Sequence, residues 1–135
     1  MRSLTVLIFV VALLTGCGGA GETAPLKEVG RVHSGQLDVV LLSPGETLKQ
    51  GRGTFVLEFR DGSGGLVDVG TVMVNASMPM PGMAPMFGGS SVTPTDAKGR
   101  YDVASDLGMA GTWRLTVTWN GPAGRGSVSM PGRAS

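Results

Sequence analysis

Between Thr112 and Asn120 the chain alternates without a break. Trp113, Leu115, Val117 and Trp119 take one parity, and Thr112, Arg114, Thr116, Thr118 and Asn120 take the other. Successive side chains of an extended strand leave opposite faces, so this stretch has one apolar and one polar face. A helix would scatter the same apolar residues around its circumference. The apolar face needs a second layer to cover it, and two stacked antiparallel sheets supply one.

Other segments repeat the pattern. Thr54 to Arg60 alternates, with Phe55, Leu57 and Phe59 on one face. Residues 37–42 form an apolar run that stops at Ser43-Pro44-Gly45, a turn signal. Residues 66–76 read as a strand in which Gly70 marks a bulge, because the apolar register shifts across it. A brief strand is expected over 90–93 before Pro94, another over 100–104 with Tyr101 and Val103 facing in, and a last one over 125–130. Glycine-rich turns separate them at 61–65, 96–99 and 121–124. About seven short strands with regular turn signals predict an all-β, immunoglobulin-like antiparallel β-sandwich over 36–131, with 132–135 as a tail. Trp113 and Trp119 read as core residues of that sandwich.

The N-terminus predicts a different fate for the first residues. Arg2 precedes the apolar run Leu4 to Leu14, too short for a typical spanning helix and suited to a signal-peptide core. The run ends in Leu14-Thr15-Gly16-Cys17, which resembles a bacterial lipobox. That resemblance makes 1–16 the signal peptide and Cys17 the lipidated first residue, followed by a tether to residue 35 that opens with Gly18-Gly19-Ala20-Gly21. It places the protein in the bacterial cell envelope, anchored to the membrane through its lipid and facing the periplasm or the exterior. Cys17 is the only cysteine, so one chain can build neither an internal disulfide nor a Cys-based zinc site. Removing 1–16 takes away Arg2 and leaves ten basic against ten acidic residues. That balance gives no electrostatic footprint for nucleic acid.

The feature richest in chemistry is Met78-Pro79-Met80-Pro81-Gly82-Met83-Ala84-Pro85-Met86, four thioethers in nine consecutive residues. Pro79 and Pro81 bias Met78 and Met80 toward extended conformations. Pro81-Gly82 is the favoured central pair of a type II turn, which would bring the Met80 and Met83 Cα atoms within about 7 Å. In polyproline II the same spacing would be about 9 Å. Thioether is a soft, uncharged ligand, and soft sulfur selects Cu(I) over harder divalent ions, with Ag(I) following by the same softness. The bland alternative is that polarizable methionine fills gaps or covers an adaptable contact surface. Prolines at alternating positions weigh against burial of the loop as a helix or central strand.

If successive strands run up and down, the link carrying these methionines and the link carrying Met109 fall at one end of the sandwich. His33, which precedes the strand at 37–42, starts at the opposite end and reads as a solvated tether residue. With the only histidine there, a Ser-His-Asp type of catalysis has no base, and an enzyme is not expected. Asp61, Asp68, Asp96, Asp102 and Asp106 read as turn and surface residues rather than a paired-carboxylate site.

The ordered set Met78-Pro79-Met80-Pro81-Gly82-Met83, Gly99-Arg100-Tyr101 and Met109-Ala110-Gly111-Thr112-Trp113 resembles the YtkA-like domain of the FixH family over roughly 36–128. The resemblance implies a small envelope-facing β-sandwich with a copper-related role. It carries over Met78, Met80, Met83 and Met109 as candidate ligands, and Met86 completes the set by its place in the loop. The partners it implies are a membrane copper pump, an oxidase assembly factor or an efflux adaptor. A lipobox stands where FixH proper looks anchored by a helix. Two functions therefore remain open: Cu(I) binding for storage, delivery or export, and a protein-interaction module of an envelope complex that uses the Met-Pro loop as its contact surface.

Overall fold

The computed structural model describes residues 25–135; the expected signal peptide, Cys17 and the first part of the tether lie outside the described residues. The described chain is built from eight strands: β1 (Lys27–Ser34), β2 (Leu37–Ser43), β3 (Gly51–Arg60), β4 (Thr71–Met78), β5 (Met86–Pro94), β6 (Arg100–Leu107), β7 (Gly111–Gly121) and β8 (Gly124–Ala134). Neighbours run in the order β1-β2-β3-β6-β5-β4-β7-β8, and every strand pair is antiparallel. From β2 onward this is the four-against-three arrangement of an immunoglobulin constant-type sandwich, β2-β3-β6-β5 facing β4-β7-β8. The all-β, immunoglobulin-like fold expected from the sequence is the observed one, with β1 added at an edge.

Several boundaries differ from those the sequence predicts. Residues 27–34, expected as tether, form β1, which pairs along β2 from Lys27 opposite Ser43 to Ser34 opposite Leu37. Its register slips between Glu28 and Gly30, which breaks the alternation, and only Val29 and Val32 reach the core. The strand is held instead by backbone bonds and by Arg31, which donates to Glu28 and Asp38. Charges on an edge strand also discourage pairing with other chains. The expected tail is the end of β8: Gly132 lies opposite Trp113, and Ala134 is buried opposite Gly111. The expected bulge at Gly70 lies before β4 begins. There Gly70 (φ 79°) crosses the backbone of Asn120-Gly121 so closely that a Cβ on Gly70 would stand 2.5 Å from the Asn120 carbonyl oxygen. The Tyr101 hydroxyl donates to the Gly70 carbonyl at 2.7 Å and fixes the crossing.

The core lies between the layers. Phe59 of β3 makes edge contacts with Tyr101 (5.6 Å) and Trp119 (5.3 Å), joining the two sheets at one end. Trp113 is fully buried toward the other. β5 belongs to both layers: Met86, Phe87 and Gly88 pair with β4, whereas Gly89 to Pro94 pair with β6. A Cβ on Gly88 would stand 3.0 Å from both the Asp106 carbonyl oxygen and Leu107 Cδ2, so the corner admits no side chain without movement. β5 is longer than the expected 90–93 because its inward positions, Met86, Gly88, Ser90 and Val92, include a glycine and a serine that hide the alternation.

Two outcomes follow from this packing. Gly121→Ala would set a Cβ 2.4 Å from the Val69 carbonyl oxygen, whereas Gly62 has open space around it. Chemical denaturation should show a loss of about 2 kcal/mol or more for Gly121→Ala, and a change within about 0.5 kcal/mol for Gly62→Ala. In the edge cluster, the hydrogen bond from His33, the largest influence, outweighs desolvation and, helped by a weaker one from Arg31, holds the Asp38 carboxyl below its ordinary 3.8. A carboxyl depressed on folding contributes stability above its unfolded pKa and loses it as pH falls through the folded one. Denaturation midpoints measured from about pH 5 downward should therefore decline, and less steeply in Asp38→Asn.

Candidate metal centre

The alternation that buries Val72, Val74 and Ala76 of β4 turns Met78, the last residue of the strand, to the same inward side. Met86, the first residue of β5, lies directly opposite it. Facing residues of an antiparallel pair hold their Cβ atoms about 4.5–5.5 Å apart, so the two thioethers leave the sheet side by side. Both are half-buried and pack against the core.

Residues 79–85 connect the pair. The Met83 N–H donates to the Met80 carbonyl at 3.1 Å, and Gly82 takes φ 73°. This is the type II geometry that Pro81-Gly82 predicts, with Met80 and Met83 flanking it. Met80 is half-buried, and Met83 is 70% exposed.

Met109 comes from the link between β6 and β7. In the observed pairing the links β2–β3, β4–β5 and β6–β7 all fall at one end, because Gly51 lies opposite Leu107 and Ser77 opposite Arg114. The strand-parity expectation therefore holds, although β1 was added ahead of it. The link runs over the methionine pair. A Cβ on Gly111 would stand 3.1 Å from Met78 Cε and 3.9 Å from its sulfur, and one on Gly108 would stand 4.0 Å from the Met86 sulfur. The Trp113 indole N–H donates to the Met109 carbonyl at 2.9 Å and pins the link to the core. Gly108 and Gly111 are thus members of the site that sequence reading passed over. Their signal was present in Gly108-Met109-Ala110-Gly111, small residues on both sides of a methionine.

His33 stands at the other end, on β1, and hydrogen-bonds to Asp38. Asp61 accepts from the Ser63 and Gly65 N–H groups, and these bonds, led by that of the Ser63 hydroxyl, hold its carboxyl below the usual range. Asp68 accepts from the Gly70 N–H. Asp96 is exposed in the β5–β6 turn, and Asp102 and Asp106 point outward from β6. Among the described residues, no three His, Cys, Asp or Glu side chains are grouped to hold a metal ion. The side chains that the strand pairing sets together at this end, Met78 and Met86, are thioethers.

A family model described as YtkA-like matches residues 31–118. The chain belongs to the YtkA-like family. The matched span of this YtkA-like domain runs from within β1 to within β7 and takes in both methionine-bearing links. Among solved structures the domain is similar to the crystal structure of the Lin-41 filamin domain, with TM-score 0.46 and 13% identity, covering 66% of this chain and 81% of that one. No curated protein matches the chain.

Trp113→Phe should show how the core holds this end of the YtkA-like domain. Losing the indole N–H leaves the Met109 carbonyl without its partner and a void under the link. A loss of about 2 kcal/mol is expected in chemical denaturation, with faster amide exchange over 108–111 than over β3.

Proposed function

We propose that this YtkA-like protein is a lipid-anchored member of the FixH family that binds Cu(I) in the bacterial cell envelope for storage, delivery or export. The observation that carries this reading is the in-register pair Met78–Met86 lying against the Gly108–Gly111 link that bears Met109. Strand pairing sets two thioethers side by side, the link beside them carries a third methionine, and soft neutral sulfur favours Cu(I). Met80 and Met83 flank the turn beyond the pair and supply the outer part of the ligand set. Met83, being open to solvent, suits ligand exchange, in which a partner's sulfurs replace these thioethers one at a time.

The remaining parts of the proposal rest on the N-terminal sequence and on the family resemblance. Cys17 would carry the acyl anchor and hold the domain at the membrane, facing the periplasm or the exterior. The partner would be a copper pump, an oxidase assembly factor or an efflux adaptor. The protein acts as a carrier rather than an enzyme on this reading.

A second reading is favoured by a separate observation. Phe87 is 75% exposed on the outer face of β5, and a groove of about 370 Å³ lined by Pro79, Trp113, Arg114 and Pro131 opens next to the loop. These would serve an interaction module that takes no metal.

One series separates the two. The purified protein is titrated with Cu(I) against a chromogenic chelator. The unmodified protein and Met73→Leu are expected to compete for the metal, and the double change Met78→Leu and Met86→Leu to lose most of that competition. Leucine nearly conserves volume, so the fold should be retained. No competition by the unmodified protein, or none lost in the double variant, would sink the copper reading. Partner capture lost in Phe87→Ser but kept in the leucine variants would favour the interaction module.

A further inference from the structure

The methionines at this end do not stand equally open to solvent. Met83 is 70% exposed and Met109 40%, while Met78 and Met86 pack half-buried against the core. Two other methionines provide references. Met73 is 61% exposed on the outer face of β4 and belongs to neither link, and Met130 is buried in the core at 4%. Thioether oxidation follows access to the sulfur lone pair.

We propose that Met83 is an oxidation switch for the site, converted to the sulfoxide by hydrogen peroxide ahead of Met78 and Met86, with loss of its part in metal binding. This inference rests on the Cu(I) reading. In the step, the sulfur lone pair attacks one peroxide oxygen, and an S–O bond forms as the O–O bond breaks. Sulfur gives up two electrons and the peroxide is reduced. The departing hydroxide takes the proton from the new S–OH group, so one water leaves and one oxygen stays on sulfur. The lone pair that is consumed is the one a soft cation would share, and the product offers a hard oxygen in its place. Metal and oxidant thus compete for the same electrons at Met83.

The fold tolerates the change at this position. The Met83 side chain projects into solvent, and the turn beside it is held by the backbone bond from its own N–H to the Met80 carbonyl. A sulfoxide there remains hydrated, whereas one at Met130 would be buried among apolar side chains. Oxidant would therefore strip the ligand set from the outside and leave the Met78–Met86 pair in place.

The test treats the purified protein with hydrogen peroxide, alone and with an equivalent of Ag(I), a redox-silent stand-in for Cu(I), and follows each methionine by peptide mass spectrometry. Met83 and Met73 should lose their thioethers before Met78, Met86 and Met130, and Ag(I) should protect Met83 but not Met73. After limited peroxide the thermal midpoint should be unchanged and the Ag(I) affinity about tenfold weaker. Met83→Leu should start about tenfold weaker and fall no further under the same treatment. Oxidation of Met83 no faster than Met130 overturns the inference, as does Ag(I) bound with Met83 unprotected. Absence of Ag(I) binding in the untreated protein overturns the metal reading itself, whatever the order of oxidation.

Discussion

Trp113 carries one polar atom into the interior of the sandwich, and that atom has to be satisfied. A buried indole N–H without an acceptor costs about 1–3 kcal/mol, a sizeable share of the margin that keeps a small domain folded. The acceptor is the Met109 carbonyl, in the short link that follows β6. The residue that fills one end of the core therefore also dictates the path of the β6–β7 link. That path runs beside Met78 and Met86, and Gly111 leaves the space that the Met78 methyl occupies. Core packing and site geometry share one hydrogen bond.

The opposite end of the same strand does a parallel job with different chemistry. Trp119 meets Phe59 edge-on, Phe59 meets Tyr101, and the Tyr101 hydroxyl ties down the Gly70 carbonyl at the backbone crossing. Gly126, opposite Trp119 on β8, has no room for a side chain, because a Cβ would stand 2.3 Å from the indole. β7 thus plugs both ends of the sandwich with tryptophan and sets the spacing between the layers. Outside the core, Glu58 of β3 is buried although its parity turns it outward. Arg60 and Arg100 close over it, with bonds of 2.9 and 3.4 Å, so the charge is paired where it is desolvated.

Strands whose stability comes from apolar alternation were legible in the sequence, and β3 and β7 are the clearest cases. β1 was not, because it is held by backbone pairing and by charges that look like a solvated linker. The end of β8 escaped for a similar reason: Gly132 and Ala134 are too small to signal burial. At the site, the Pro81-Gly82 turn could be read from local stereochemistry, and the convergence of Met109 on the loop from strand parity. The Met78–Met86 pairing could not. It depends on β5 starting at Met86, and the Gly88-Gly89 corner conceals that start.

That corner gives the methionine end a mechanical character. β5 is stitched to β4 over Met86 to Gly88 and to β6 over Gly89 to Pro94, so one strand spans the seam between the layers. Leu48 bonds through its backbone to the end of β8 and makes a second join between the layers, while the β4–β5 seam ends in the pair Met78–Met86. The two methionines close that seam, so the pairing that ties one layer to the other also fixes how far apart they stand.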